Sequence, residues 1–372
     1  MGVYRSLYIH VPFCAGGKCD YCAFASQGHS SAEERRRYLE KLSQEFQRFA
    51  PECQPLRSIF MGGGTPSALS PEELSFLLSE IRRNFTLEAD CEWTSEANPD
   101  SLTSEKLRAM LSGGVNRLSL GVQSFQKEIR NRIGRRGALE NLESIVQEAR
   151  ELGLRRLNLD LIYAVPGETL EQWREDLKRA VALSPDHLSC YSLILEEGTP
   201  LAKRLLPEDD DDALFLDCWR HNDEYLAQFG FQRYEISNFA KVGCHCRHND
   251  EIWHGQTYLG CGPAAVSFDG SSRRANPSSL ADWLRDVPPE VDELPPQARR
   301  REILAFGMRT VAGWNWDDMR EVTGFTRDEV LAIPEVQELS RDGLVQWDEE
   351  AFRPTAQGLL FNDRILEAII LS

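Results

Sequence analysis

The sequence predicts an α/β fold in which a parallel sheet carries its functional residues along one rim. Two observations predict it. Six short apolar runs alternate with stretches of helical periodicity between Ser6 and Leu195, and that alternation builds parallel sheets. The residues suited to chemistry, namely the glycines from Gly62, Glu96, Gln123, Asp160 and Tyr191, all fall where a strand run ends, which is where a β/α barrel gathers its active-site loops. Six units are fewer than a closed eight-stranded barrel needs. A doubly wound sheet also binds ligands at its strand ends, so alternation alone leaves the curvature open.

Ser6 to Val11 reads as the first strand and runs through Pro12 and Phe13 into Cys14-Ala-Gly-Gly-Lys-Cys19-Asp-Tyr-Cys22. Ser31 to Phe49 has the spacing of an amphipathic helix. Arg57 to Met61 is a strand that ends in Gly62-Gly-Gly-Thr-Pro-Ser67; a helix then opens near Ser70-Pro-Glu-Glu73, with Ser as cap and Pro in the first turn. Strands follow at Leu87 to Asn98, Val115 to Val122, Arg156 to Tyr163 and His187 to Leu195. Helices follow at Ser104 to Leu111, Leu139 to Leu152 and Leu170 to Leu183. The acidic turn Glu208 to Asp212 precedes a helix from about Ala213 to Phe229, where carboxylates suit the positive end of the dipole. Tyr234 to Phe268 is loop-rich and holds Cys244, His245, Cys246, His248, Trp253 and His254. From Pro295 a separate region has helical patterns at Ala298 to Val311, Trp316 to Val322 and Arg327 to Ala332. It closes with Val336 to Leu344, a short strand-like pair and Ala356 to Ile370. The expected organisation is a core over 1–232, a connecting segment over 233–294 and a small, mainly helical, winged-helix-like C-terminal domain over 295–372.

Composition narrows the function. With 372 residues, 41% of them hydrophobic, the chain can bury a large core and a smaller second one. No run approaches the ~18 to 20 apolar residues of a membrane span, and the N-terminus lacks a signal-peptide pattern, so cytoplasm is expected. Ten cysteines in this length form no dense disulfide framework; the thiols are expected to be reduced or metal-bound. A net charge of -17 repels polyanions, which argues against nucleic acid as a partner.

Three thiols within nine residues, Cys14, Cys19 and Cys22, suit an iron–sulfur cluster whose fourth iron keeps an open position. A zinc site, which would want a fourth Cys or His, and a metal-free thiol cluster are the alternatives. A separate small metal site at Cys244, His245 and Cys246 is disfavoured, because adjacent residues rarely converge on one ion.

The stretch Tyr8-Ile-His-Val-Pro-Phe-Cys14, followed by Cys19-Asp-Tyr21-Cys22, resembles the opening of radical S-adenosylmethionine (SAM) proteins. Within them it is most similar to the branch of the oxygen-independent coproporphyrinogen III oxidase and the HemW-like haem chaperones. The resemblance implies an open, partial (β/α)6 barrel with a 4Fe-4S cluster on Cys14, Cys19 and Cys22. It implies SAM contacts at Gly63, Gly64, Thr65, Glu96, Gln123, Arg135 and Asp160, with Tyr8 and Tyr21 among the cofactor-binding residues. The glycine segment would hold the amino group and sulfonium end of SAM through backbone amides; a carboxylate would take a ribose hydroxyl or the ammonium, and the arginine the methionine carboxylate. In such proteins the reduced cluster cleaves SAM to methionine and a 5′-deoxyadenosyl radical. The sequence leaves open whether any substrate receives it.

The chain departs from the family in places. Four residues separate Cys14 from Cys19 where the family has three, and Gly16 and Gly17 can absorb the insertion by taking positive φ. Ile252 stands where the family has Tyr, and Gly137 where it often has His. Two functions follow from the resemblance: oxidation of coproporphyrinogen III, or a haem chaperone. The chaperone is favoured because Phe24 replaces a further cysteine of the oxidase and only thirteen residues precede Cys14. It is favoured also because Cys246-Arg-His-Asn249 with Trp253 resembles the His-Asn-x-x-Tyr-Trp signature of the chaperones. His248 is the expected haem ligand. A haem-accepting protein and an electron donor are the implied partners, with peripheral membrane contact through the acceptor.

Overall fold

The computed structural model describes residues 2–205 and 212–372; most of the acidic turn at Glu208 to Asp212 therefore lies outside the described residues. The chain runs β1 (Tyr4–Val11), α1 (Ala32–Phe49), β2 (Cys53–Gly63), α2 (Pro71–Asn84), β3 (Leu87–Ala97), α3 (Ser104–Gly113), β4 (Arg117–Gln123), α4 (Lys127–Arg132) and α5 (Leu142–Glu151). It continues with β5 (Arg156–Tyr163), α6 (Leu170–Ala182), β6 (His187–Ser192) and α7 (Asp212–Ala227). The end signals act as expected. Ser70 accepts from the Glu73 amide in a capping box with Pro71 in the first turn, and Ser31 and Thr169 cap α1 and α6 in the same way.

Strands β1 to β6 lie side by side in sequence order, each parallel to the next. This order decides between the two candidate folds. A doubly wound sheet reverses direction at a switch point, whereas right-handed crossovers that always step the same way put every helix on one face. The result is a barrel wall with an inside. Leu7, Ile9, Ile59, Met61, Leu118, Leu120, Leu157 and Leu159 point outward to the helices and are buried there. The alternate positions, Ser6, His10, Ser58, Glu92, Thr94, Arg117, Ser119, Asn158, His187 and Ser189, face inward and are buried as well.

The segment after α7 is more than a linker. It contributes β7 (Gln232–Arg233), β8 (Asn238–Ala240), α8 (Arg247–Trp253), β9 (Tyr258–Cys261), β10 (Val266–Phe268), β11 (Ser272–Ala275), α9 (Leu280–Leu284) and β12 (Glu290–Glu293). Strand β8 pairs antiparallel with β6, while β9 pairs parallel with β1, so one stretch of chain extends both edges of the sheet. Helix α8 lies between them in sequence and packs beneath β2 and β3, which ties the two edges of the open barrel together.

A second core follows, built from α10 (Pro296–Gly307), β13 (Trp314–Asn315), α11 (Trp316–Thr323), α12 (Arg327–Leu331), α13 (Pro334–Arg341), β14 (Val345–Trp347), β15 (Ala351–Pro354), α14 (Ala356–Leu360) and α15 (Asn362–Leu371). Leu304, Met308, Trp314, Met319, Phe352 and Ile365 form its centre around a small antiparallel sheet, the helical, winged arrangement expected. Among the described residues no helix is long and apolar enough to cross a membrane.

Candidate functional site

The C-terminal ends of β2 to β6 and the cysteine loop enclose a cavity of about 470 Å³. Cys14, Cys19, Tyr21 and Cys22 line it from the loop; Gly63, Gly64 and Thr65 line it from the turn after β2; Glu96, Gln123, Arg135 and Asp160 complete the wall. The residues singled out in sequence thus meet at one mouth, with two exceptions, Tyr8 and His248.

The loop is pinned at both ends. The Cys14 amide donates to the Gln27 carbonyl at 2.9 Å and the Gln27 amide to the Pro12 carbonyl at 2.8 Å. His10, neutral because burial lowers its pKa, donates from Nε2 to the Ala25 carbonyl at 2.8 Å and accepts at Nδ1 from the Tyr8 hydroxyl at 3.1 Å. The widened Cys14 to Cys19 spacing is absorbed by Gly16 (φ 74°) and Gly17 (φ 105°), conformations that a side chain would strain. Among the described residues no three His, Cys, Asp or Glu side chains are grouped to hold a single metal ion. Three thiols on one cavity wall suit a cluster that offers each its own iron. Cys244, His245 and Cys246 diverge: Cys246 turns to Glu92, His245 stacks on Tyr234, and Cys244 turns to the Val242 carbonyl.

Arg135 is fixed facing the thiols. It donates to the Gly121 carbonyl at 2.6 Å and to Asn98 Oδ1 at 2.7 Å, and its Nη1 lies 3.5 Å from Cys19 Sγ. Asn98 in turn donates to Thr65 Oγ1 at 3.1 Å. Gln123 ends β4 in the left-handed region, φ 67°, at an irregularity in the β4–β5 pairing; such backbone costs about 1–3 kcal/mol and concentrates at functional sites. The glycine turn departs from expectation. The amides of Gly63, Gly64 and Thr65 are spent on Glu96, the Val11 carbonyl and the Phe13 carbonyl, so the turn has carbonyl oxygen rather than N–H to offer an ammonium group. Gly63 is required there, because a Cβ would lie 2.5 Å from the His10 ring.

Two carboxylates, Glu96 and Asp160, form the floor, each half-buried and open only to the cavity. Asp160 accepts from Ser119 Oγ at 2.8 Å and Asn158 Nδ2 at 2.7 Å, which align it. Glu96 accepts only the Gly63 amide, at 3.2 Å, among the described residues. Burial, and then the charge on Asp160, push the Glu96 carboxyl up to about 8. Neither has an ion-pair partner among the described residues, so the floor is built for a cationic ligand. A cation draws the proton off Glu96. Its affinity is therefore expected to rise about tenfold per pH unit below pH about 8 and to level off above it. In the free protein the same proton has the opposite effect, and stability falls as pH climbs from 4.5 to about 8. Binding titrations from pH 6.5 to 9 check this; a Glu96→Gln variant should show no such slope.

Tyr8 and His248 lie elsewhere. Tyr8 stacks on Phe60 below the cavity floor, within the electrostatic reach of Glu96. It shapes the floor through His10 and does not line the cavity. The expectation that His248 faces a ligand is corrected: it is 3% exposed, under the opposite end of the barrel. Its Nδ1–H donates to Ser58 Oγ at 2.8 Å, Ser58 donates to Ser6, its amide donates to Glu92, and its ring stacks on Phe60. Burial, reinforced by Arg117, lowers its pKa to about 3. The rest of α8 is riveted similarly, Arg247 to Asp90 at 2.9 Å and Glu251 to Arg57 at 3.2 Å. A chain of hydrogen bonds joins this plug to the floor: the Cys246 amide to Tyr234, Tyr234 to His187, His187 to Asn158, and Asn158 to Asp160. His248→Ala takes away the donor to Ser58 Oγ, which keeps its own bond to Ser6, and leaves a gap under Phe60; it is expected to cost about 2–4 kcal/mol, read as a lowered denaturation midpoint.

The sequence reading missed Asn98 and Ser119, which line the cavity and orient Arg135 and Asp160. Their signal was position only, on or just after strand ends.

Comparison with known proteins agrees with this geometry. Residues 8–180 match the Radical SAM superfamily and residues 294–361 match the HemN C-terminal domain. The chain is 32% identical over 382 residues to the protein named Heme chaperone HemW of Bacillus subtilis, covering 98% of this chain and 99% of that one. The chain belongs to the HemW family of radical SAM proteins. A HemW from Haemophilus influenzae is 40% identical over 265 residues, 69% of each chain. The mouse mitochondrial protein named radical S-adenosyl methionine domain-containing protein 1 is 32% identical, over 98% of this chain and 87% of that one. In three dimensions the chain is similar to the coproporphyrinogen III oxidase HemN of Escherichia coli, with a TM-score of 0.86 and 25% identity over 99% of this chain and 90% of the other. Radical SAM proteins carry a 4Fe-4S cluster and SAM, and the HemW-family cavity seen here fits both. It has three thiols on one wall with a cation against Cys19, and two half-buried carboxylates with no ion pair among the described residues.

Proposed function

We propose that this chain is a haem chaperone: it binds haem and hands it to a haem-accepting protein, and it carries a cluster and SAM at the barrel mouth. The match to Heme chaperone HemW proteins along nearly the whole chain carries the reading. Cys14, Cys19 and Cys22 ligate the cluster. Gly63, Gly64 and Thr65 face the ammonium end of SAM, Glu96 and Asp160 offset its positive charge, and Arg135 takes its carboxylate. Gln123 and Tyr21 close the wall around it. When bound and reduced, the cluster can supply the electron that cleaves SAM; the chain positions that chemistry and keeps water from it. An electron donor, a cytoplasmic location and peripheral membrane contact through the acceptor belong to the same proposal.

Oxidation of coproporphyrinogen III is the second reading, favoured by the similarity to HemN. Against it, Phe24, 65% exposed on the cavity wall, stands where the oxidase is expected to carry a further cysteine. One anaerobically reconstituted sample decides between them, by haem titration and a coproporphyrinogen assay with SAM and reductant. Haem is expected to bind at about one per chain and protoporphyrinogen to stay at background; turnover would favour the oxidase.

A further inference from the structure

Of the two carboxylates on the cavity floor, Asp160 is held by a column of polar groups that descends through the barrel interior. Ser119, Asn158, His187, Tyr234 and Cys246 are each at most 6% exposed. The direction of every hydrogen bond in this column is determined. The Cys246 amide, where α8 opens, can only donate, and it donates to the Tyr234 oxygen at 3.2 Å. The Tyr234 hydroxyl has one other partner among the described residues, His187 Nε2 at 2.9 Å, so its hydrogen goes there. His187 is neutral, because burial and then the Arg117 charge hold its pKa well below the usual range. Its one ring proton therefore sits on Nδ1 and is donated to Asn158 Oδ1 at 2.6 Å.

With its oxygen engaged from below, Asn158 turns its amide nitrogen to Asp160 Oδ1 and to Ser119 Oγ, each at 2.7 Å, and Ser119 donates to Asp160 Oδ2 at 2.8 Å. Four successive donors thus point the same way, from a backbone amide that cannot reverse to a carboxylate that needs them. Such chains polarise one another. Ser189 Oγ lies 3.1 Å from the nitrogen and 3.3 Å from the oxygen of the Asn158 amide and does not choose between its two orientations. His187 does choose. Without its proton the flipped amide becomes available, with oxygen set against the Asp160 carboxylate in a buried place. Glu96, whose one donor among the described residues is the Gly63 amide, has no such support.

We infer that His187 is a positioning residue for SAM: by fixing the Asn158 amide it presents Asp160 to the ligand already oriented, and the first amide of the α8 segment sets the direction of the column. The inference rests on the reading that SAM occupies this floor. A carboxylate oriented in advance loses less freedom when the ligand binds. The Cys246 to Trp253 segment thereby acts on the cavity from the far end of the barrel without touching a ligand.

The test measures SAM affinity by isothermal titration on the full chain with its cluster reconstituted, with iron content and denaturation midpoint recorded for every sample. His187→Leu removes the donor, whereas in His187→Asn the side-chain amide nitrogen takes the place of Nδ1 and restores it. Each is made alone and together with Asp160→Ala. His187→Leu is expected to bind SAM about tenfold more weakly and His187→Asn within about threefold of wild type. In the Asp160→Ala background His187→Leu should cost nothing more, because it acts through that carboxylate. If His187→Leu does not fold, Tyr234→Phe, which removes only the hydroxyl that fixes the His187 tautomer, is judged in its place by the same two comparisons: a severalfold loss alone and none with Asp160→Ala. Wild-type affinity in the variant without the donor, a loss in His187→Asn as large as in His187→Leu, or a loss that persists undiminished with Asp160→Ala overturns the positioning role and leaves the SAM site standing. If wild type takes up no SAM, or Asp160→Ala binds it as tightly as wild type, the reading of the floor fails and this inference with it.

Discussion

Replacing Cys14, Cys19 and Cys22 together by alanine is expected to abolish the brown absorbance and the EPR signal of the reconstituted protein, with bound iron falling to background. The effect should be complete, because on the proposed reading each thiol supplies a covalent bond to the cluster and not one contact among many. The fold should survive. The loop is tied to the barrel through the Cys14 amide, Gln27 and the His10 bond to Ala25, none of which uses a sulfur. Iron content unchanged in the triple variant would move the ligands to other cysteines. Among these, Cys91, Cys190, Cys218, Cys246 and Cys261 are buried in the fold, which makes that outcome costly to the structure.

The second large effect concerns SAM. Asp160→Ala and Glu96→Ala each remove a half-buried carboxylate from a floor with no ion-paired cation of its own among the described residues. Losing a charge-assisted contact costs about 1.5–3 kcal/mol, or roughly tenfold to a hundredfold in affinity for each variant. Tyr8→Phe removes only the bond to His10 and should change SAM affinity far less, since Tyr8 does not line the cavity. Isothermal titration with SAM checks all three. If both carboxylate variants bind as tightly as wild type, Glu96 and Asp160 do not hold SAM, even though the fold stands.

Much of this architecture was legible because local signals and the fold agree. The β2 strand, its glycine turn and the Ser70 cap follow from residue type alone, as does β5 over Arg156–Tyr163, and the residues after these strands fall at one mouth because parallel strands end on the same side. Less legible was the barrel interior. Asn158 and Asp160 alternate with Leu157, Leu159 and Leu161, a pattern that looks like a strand with one wet face. In the structure both faces are buried, and the polar one is satisfied by its neighbours. The strands β7 to β12 were missed because each spans only two to four residues, too few to show a period. His248 was misplaced for a related reason. A motif rich in His, Cys and Trp reads as a ligand set, but here its polar groups plug a polar-lined barrel, and burial of that kind depends on Ser58 and Glu92, far away in sequence.

The most direct test of haem chaperone function is transfer. Protein reconstituted with cluster and SAM and loaded with one equivalent of haem is mixed with an apo-haemoprotein, and the Soret band is followed as it moves from donor to acceptor position. A haem chaperone gives transfer faster than the spontaneous release of haem into buffer, in proportion to the loaded protein. Haem that stays on the chain, or that reaches the acceptor no faster than free haem released from it, would contradict the assignment.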